Sequence, residues 1–214
     1  MESVYTTYLS VIRQACCSSA DANIDTAITI RPEEVHALAV LSQEHRTAPF
    51  LLPFFHGTDC YPSLKQQTKS MMLNYYQIEH FTRYTVSLLA EHHISCYLLK
   101  GLSLADCYPV PEYRKLGDLD LYISDKEDFD RAKCILASHG YLEEEELSDH
   151  HITYQYHFSK TGRSFLLELH YRVIGLYQYS RANEIVDEVF SANRPGHCHQ
   201  TICGYSYTVL PPTE

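Results

Sequence analysis

The sequence lacks the features that mark secreted, disulfide-bonded and membrane proteins. No apolar run approaches the ~20 residues of a membrane-spanning helix. The N-terminal segment MESVYTTYLS lacks the basic region and apolar core of a signal peptide. The eight cysteines include no Cys-x-x-Cys pair. We therefore expect a cytoplasmic protein that keeps its thiols reduced and does not enter a membrane.

Basic residues are also few. The chain of 214 residues has 17 Lys and Arg against 27 Asp and Glu, which gives a formal net charge of −10 and a pI near 5.7. Non-specific affinity for nucleic acid comes largely from Lys and Arg side chains that neutralise phosphates. The composition therefore disfavours nucleic acid as a partner, although Arg114 and Lys115 form a local basic cluster.

A third absence concerns phosphate binding. The chain contains no Gly-x-x-x-x-Gly-Lys-Ser/Thr motif, the loop that cradles phosphates in Walker-type ATPases. We therefore do not expect this protein to be such an ATPase.

The residues that are present favour a globular protein that begins with helices. With 45% hydrophobic residues and no low-complexity tract, the chain can form one good core or two small domains. Apolar residues recur at helical spacing over residues 3–17 and 63–92, and Pro32 is a favourable first-turn residue for a helix between them. Residues 1–93 are therefore predicted to be a helical N-terminal region.

Two spaced aspartates follow in the stretch from Tyr97 to Ile123. The alternation of polar and apolar residues from Gly117 onward predicts a strand, and side chains two apart in a strand share a face. Asp118 and Asp120 then point the same way, at an open side or end of the strand. Two such carboxylates repel unless a cation lies between them, and hard oxygen ligands favour Mg²⁺ or Mn²⁺. Asp-x-Asp is a common pattern, however, and a solvated edge strand also explains it.

A glycine turn precedes the aspartates. Lys100 and Gly101 follow an apolar strand predicted over residues 94–99, and Ser103 is placed to open a short helix. The N-terminus of a helix favours anions, and glycine lets a phosphate approach the backbone closely. We therefore interpret this turn as a phosphate site.

Residues 150–173 alternate in the manner of two strands joined by a turn, which predicts a β-hairpin. Glu168 and His170 would share one face of the second strand. A role at the site and a buried, hydrogen-bonded histidine explain His170 equally well. We interpret His150 and His151 as surface residues.

These motifs, taken in order, resemble those of the DNA polymerase β-type nucleotidyltransferase superfamily. The likeness is greatest to its branch of uncharacterised nucleotidyltransferases and spans roughly residues 32–173. Its motifs are Leu99-Lys100-Gly101, Tyr108-Pro109, Arg114, Gly117 to Leu121, Gly140-Tyr141 and Leu167-Glu168-Leu169-His170. The usual Gly-Gly/Ser pair of the superfamily reads Lys100-Gly101-Leu102-Ser103 here, which departs from the pattern.

The resemblance implies an α+β fold. The helical N-terminal region, residues 1–93, would pack on a small mixed β-sheet of the nucleotidyltransferase type. That sheet would lie in residues 94–214 and carry the site. Relatives usually continue into a further helical region, so we expect the sequence to be truncated after Pro211 to Glu214.

The resemblance also implies a function. This is the metal-dependent transfer of a nucleoside monophosphate from a nucleoside triphosphate, such as ATP, to an acceptor, with release of pyrophosphate. The implied catalytic residues, which also bind Mg²⁺ or Mn²⁺, are Asp118, Asp120 and Glu168. The residues implied to bind the triphosphate are Lys100, Gly101, Ser103 and Arg114. The acidic composition favours a small molecule, a peptide or a protein as the acceptor.

Two other functions fit the same motifs. One is a nucleotide-binding regulatory module that keeps the site but has lost efficient turnover, which the altered glycine motif favours. The other is an antitoxin-like partner of a helical toxin, related to small nucleotidyltransferases that modify proteins. Co-purification with a neighbouring helical protein would favour the second.

Overall fold

The computed structural model describes residues 2–17, 28, 30–145, 148–159, 162–191 and 198–210. The segment from Pro211 to Glu214, predicted to lead into further helices, lies outside these ranges. None of the described helices combines the length and the apolar character that crossing a membrane requires.

The chain divides into two compact units. The first contains residues 1–76 and 105–116, and the second contains residues 77–104 and 117–214. The helix from Tyr61 to Glu91 contributes residues to both units. The division between a helical region and a catalytic core at residues 93 and 94 stays a prediction.

The first unit is helical. Its helices are α1 (Glu2–Cys17), α2 (Val35–Glu44), α3 (Ala48–Leu51) and the first half of α4 (Tyr61–Glu91). Apolar side chains of these elements and their connections are buried together, among them Tyr8, Val11, Leu38, Leu51, Phe55 and Leu64. The helices predicted over residues 3–17 and 63–92 are confirmed, with small shifts at their ends.

The second unit is built on a seven-stranded mixed β-sheet with the strand order β3-β4-β5-β2-β1-β7-β6. Its strands are β1 (Tyr97–Leu98), β2 (Leu119–Tyr122), β3 (Tyr141–Glu143), β4 (His151–Phe158), β5 (Arg163–His170), β6 (Cys198–Ile202) and β7 (Tyr205–Val209). β2 is parallel to β5, and β1 is parallel to β7. The other neighbouring strands are antiparallel.

The sheet is larger than the small sheet that the resemblance implies, so that part of the expectation is wrong. The strand β3 extends the sheet on one side, and the β6–β7 hairpin extends it on the other. With α5 (Lys126–Ser138) and α6 (Ser180–Ser191), the described residues form six α-helices, so the mixed α/β character is confirmed. The predicted hairpin within residues 150–173 is confirmed as β4 and β5. The nucleotidyltransferase type of the sheet stays a prediction.

One face of the sheet packs against α4. The ring of Phe81 is fully buried and stacks on the rings of Tyr141, Tyr156 and Phe165. Phe165 and Glu168 are three residues apart on β5, so their side chains point to opposite faces of the sheet. Glu168 and His170 therefore lie on the face that Phe81 does not cover.

The N-terminus of α5 is capped by Asp125, whose Oδ1 accepts a hydrogen bond of 3.0 Å from the backbone N–H of Asp128. Loss of such a cap typically costs about 1 kcal/mol, so we expect Asp125→Ala to lower the free energy of unfolding by about that amount. Urea denaturation measures this change. Asp130→Ala removes an exposed aspartate from the same helix and should have little effect. An equal loss in both variants would contradict the capping role.

Candidate metal and nucleotide site

Two acidic residues from distant parts of the chain lie side by side in the sheet. β2 and β5 are parallel neighbours, and their register pairs Asp120 with Glu168. β2 is the fourth of the seven strands, and Asp120 is only 1% exposed. The expectation that Asp120 points to an open side is therefore wrong, because the side chains of Lys100 and His170 lie against its carboxylate.

A histidine completes a close group with these two carboxylates. One ligand atom each of Asp120, Glu168 and His170 lies within 4.8 Å of the others. The distance from His170 Nε2 is 3.2 Å to Asp120 Oδ1 and 3.3 Å to Glu168 Oε2. The sequence left the role of His170 open, and the structure makes it a buried neighbour of both carboxylates. The sequence feature that predicts this location is the position of His170 two residues after Glu168, on the same face of β5.

A lysine ammonium lies beside both carboxylates. Lys100 Nζ is 3.0 Å from Asp120 Oδ1 and 3.9 Å from Glu168 Oε2. Partial burial alone would lower the pKa of Lys100, but its hydrogen bond with Asp120 and the charge of that carboxylate raise it overall. The ammonium thus forms an ion pair with the Asp120 carboxylate.

The two carboxyl groups have pKa values shifted in opposite directions. Burial alone would raise the pKa of Asp120, but hydrogen bonds with His170, Glu168 and Lys100 outweigh burial and lower it. Burial, the hydrogen bond with Asp120 and the charge of Asp120 raise the pKa of Glu168 to about 7. Near neutral pH, Asp120 is therefore ionised while Glu168 gains and loses a proton.

Asp118 lies next to this group, one residue before β2, and is half-buried. After burial and Asp120, the charge of Asp118 is a further cause of the raised pKa of Glu168. Asp118 is therefore close enough to act electrostatically on the carboxylate pair.

The ligand atoms at this place fit a divalent cation. Asp120 Oδ2 is buried and has no hydrogen-bond partner among the described residues. A buried acceptor normally has a partner, so this oxygen has unused capacity for a ligand. The carboxylate oxygens of Asp120 and Glu168 make a donor set rich in oxygen, which Mg²⁺ and Mn²⁺ prefer. Of the predicted metal ligands, the structure thus brings Asp120 and Glu168 together, with His170 beside both carboxylates.

The predicted phosphate turn passes beside the aspartates. Gly101 has a φ of +67°, and a Cβ at this position would lie 3.6 Å from the backbone oxygen of Asp118. Ser103 Oγ donates a hydrogen bond of 3.2 Å to the carbonyl oxygen of Leu99. The short helix expected from Ser103 is a 3₁₀ turn that begins two residues later, at Ala105. Phosphate binding by this turn stays a prediction.

Arg114, also predicted to bind the triphosphate, belongs to the first compact unit. Its guanidinium carbon lies 5.9 Å from the centroid of the Tyr108 ring, a cation–π contact. Its role toward a phosphate stays a prediction.

Comparison with models of known protein families identifies the family of this chain. The model of one family, described as an uncharacterised nucleotidyltransferase, matches residues 32–214. The chain belongs to the uncharacterised nucleotidyltransferase family. Neither a curated protein nor a solved structure matches it.

Membership of the uncharacterised nucleotidyltransferase family confirms the resemblance drawn from the motifs. The family description suggests nucleotidyl transfer as its chemistry, whereas placement in the DNA polymerase β-type superfamily stays a prediction. In this member of the family, the motif from Gly117 to Leu121 and the motif from Leu167 to His170 form neighbouring strands. That pairing is what brings their acidic residues together.

Proposed function

We propose that the protein transfers a nucleoside monophosphate from a nucleoside triphosphate to an acceptor, with release of pyrophosphate, and that it requires Mg²⁺ or Mn²⁺. The observation that carries this proposal is the in-register pairing of Asp120 with Glu168 on parallel neighbouring strands. The turn at Gly101 lies beside Asp118, at the entry to the same strand. The acidic residues and this backbone turn are therefore next to one another.

Asp118, Asp120 and Glu168 hold the metal ion in this proposal. Asp120 is suited to the role because its lowered pKa keeps it ionised and its Oδ2 lacks a hydrogen-bond partner in the described structure. His170 Nε2, when it carries a proton, donates to Asp120 Oδ1 and fixes the orientation of that carboxylate. The bound metal supplies positive charge that stabilises the triphosphate during transfer.

Glu168 acts as the proton acceptor. The acceptor hydroxyl oxygen bonds to the α-phosphorus, the bond from that phosphorus to the pyrophosphate oxygen breaks, and the hydroxyl proton passes to the Glu168 carboxylate. A pKa raised to about 7 suits a group that takes up and releases a proton near neutral pH. The side chain of Glu168 is 22% exposed, so its carboxylate is accessible to an acceptor.

Lys100 supplies a positive charge for the phosphates. Its side chain is 53% exposed, which leaves the ammonium room to turn from Asp120 toward a bound triphosphate. The turn that follows it, with Gly101 and Ser103, offers backbone N–H groups to the same anion. We expect the acceptor to be a small molecule, a peptide or a protein, because the net charge of −10 disfavours nucleic acid.

The position of Lys100 also favours a second candidate, a nucleotide-binding regulatory module with little turnover. The ammonium already contacts Asp120 Oδ1 at 3.0 Å, so it competes with a cation for that carboxylate. In such a module the ion pair would persist, and nucleotide would bind without a metal. The two candidates therefore differ in the metal dependence of binding.

Calorimetric titration of the chain with each of the common nucleoside triphosphates, with Mg²⁺ and with a chelator, tests the proposal. For the enzyme we expect binding that requires Mg²⁺, together with pyrophosphate release when a panel of acceptors is supplied. Binding that is unchanged by the chelator, without pyrophosphate release from any acceptor, would support the regulatory module and overturn the enzyme.

A further inference from the structure

Three histidines meet at the open end of the β4–β5 hairpin. One ring nitrogen each of His150, His151 and His170 lies within 4.8 Å of the others. The ring centroids are 4.4, 5.5 and 5.0 Å apart for the pairs 150–151, 150–170 and 151–170. None of the three is exposed in the manner of a surface residue, since two are half-buried and His170 is buried. The interpretation of His150 and His151 as surface residues is therefore wrong.

The hairpin itself produces this arrangement. His151 and His170 are directly opposite each other in the antiparallel register of β4 and β5, so their side chains share a face. His150 lies in a bend before β4, where the alternation of a strand does not apply. Its carbonyl oxygen accepts hydrogen bonds from the backbone N–H groups of Tyr171 and Arg172, at 3.0 and 3.2 Å. These bonds hold the bend against the end of β5.

Carboxylates orient two of the three rings. His150 Nδ1 is 2.8 Å from Asp149 Oδ1, and Asp149 Oδ2 accepts a hydrogen bond from the backbone N–H of Leu176 at 2.9 Å. A carboxylate only accepts hydrogen bonds, so this contact places a proton on His150 Nδ1, and the neutral form of the ring has its lone pair at Nε2. His170 is oriented in the same manner by Asp120. A carboxylate that holds the far nitrogen of a histidine is the usual support of a histidine that binds a metal.

Hydrogen bonding within the cluster does not account for all of its nitrogen atoms. His150 Nε2 is 3.0 Å from His151 Nδ1, and Ser148 Oγ is 3.1 Å from the same His151 atom. His170 Nδ1, in contrast, is buried and has no hydrogen-bond partner among the described residues. A purely structural cluster would leave this nitrogen desolvated without compensation. The cluster therefore has capacity for a ligand.

The geometry points to a second metal site, at which His150, His151 and His170 bind a transition-metal ion of the zinc class. Imidazole nitrogen is a ligand for Zn²⁺, Co²⁺ and their neighbours rather than for Mg²⁺. Three imidazoles leave one coordination position of a tetrahedral ion open. The site borders the carboxylate site, because His151 Nε2 is 3.9 Å from Glu168 Oε1. The inference depends on the histidines alone and not on nucleotidyl transfer.

Titration of the full chain with Co²⁺ tests this inference, because the visible absorption of Co²⁺ reports nitrogen coordination without any enzymatic assay. We expect one ion per chain to give a tetrahedral spectrum that Zn²⁺ abolishes and excess Mg²⁺ leaves unchanged. His151→Gln and His150→Gln should each weaken binding at least about tenfold. His157→Gln removes an exposed histidine from the same strand and should bind as the wild type does.

Asp149→Asn gives an independent readout. Loss of a carboxylate that supports a metal-binding histidine typically weakens binding about 10–100-fold, although Asp149 itself touches no ion. These variants leave the buried His170 in place, and circular dichroism is the check that they fold. Binding that is equal in the wild type, His150→Gln and His151→Gln would overturn the inference. Displacement of Co²⁺ by Mg²⁺, or an equal loss in His157→Gln, would overturn it as well.

Discussion

The Asp120→Asn variant is expected to lose pyrophosphate-releasing turnover by about a thousandfold, which corresponds to about 4 kcal/mol of transition-state stabilisation. Asparagine keeps an oxygen that can accept from His170 and Lys100, so the local contacts survive. It removes the negative charge and replaces Oδ2, which has no hydrogen-bond partner among the described residues, by an amide nitrogen that cannot bind a cation. Calorimetry should show a matching loss of Mg²⁺-dependent binding of the triphosphate.

Two further variants make this result specific to the site. Asp130→Asn removes the same charge from an exposed position on α5 and should retain full activity. The activity of Asp118→Asn should lie between those of Asp120→Asn and Asp130→Asn. Asp118 acts on the carboxylate pair but lies outside the close group of ligand atoms. A folded Asp120→Asn protein that binds Mg²⁺ and triphosphate as tightly as the wild type would remove the basis of the proposed function.

The sequence predicted the two strands of the site well. Alternation predicted strands over residues 117–123 and 164–173. The structure has β2 and β5 there, with small shifts at their ends. The family motifs supplied the expectation that their acidic residues cooperate. The register that pairs Asp120 with Glu168 is consistent with that expectation.

The burial of Asp120 could not be predicted from its own strand. Whether a polar side chain of a strand meets solvent depends on what packs against it, and the Asp120 carboxylate lies against Lys100 and His170, which belong to other segments of the chain. The sheet likewise continues through β1 to β7 and β6, some eighty residues later in the chain. A short segment carries no information about such distant pairing. The same reason explains why the sheet was expected to be small.

The histidine cluster was missed for a local reason. Consecutive residues of a strand point to opposite faces, so His150 and His151 should separate if both belonged to β4. The strand starts at His151, and the bend before it turns His150 toward the same side. The pairing of His151 with His170 in the register of β4 and β5 then places the ring of His170 beside the other two. A bend one residue before a strand leaves no distinct pattern in the sequence.

Metal binding should depend on pH through Glu168. Because its pKa is about 7, Glu168 is largely protonated at lower pH, and the carboxyl group must lose that proton before it can bind a cation. The apparent affinity for Mn²⁺ should therefore rise with pH and level off above the pKa, with a loss of about tenfold from pH 8 to pH 6. Titration followed by the electron paramagnetic resonance of free Mn²⁺ measures this. Glu168→Gln should bind Mn²⁺ weakly and with little change over the same range.

The stability of the metal-free protein should change with pH in the opposite direction. Folding raises the pKa of Glu168 from 4.5 to about 7, so its contribution to stability is complete below pH 4.5 and is lost as pH rises through 7. Glu168→Gln is neutral at every pH and should therefore unfold at higher urea concentration than the wild type at pH 8 in a chelator. Glu188→Gln, on an exposed position of α6, is the control and should match the wild type in both the Mn²⁺ titration and the urea denaturation.

Equal Mn²⁺ affinity of the wild type at pH 6 and pH 8 would show that Glu168 is not a ligand, because a protonated carboxyl group cannot bind the ion in the same way.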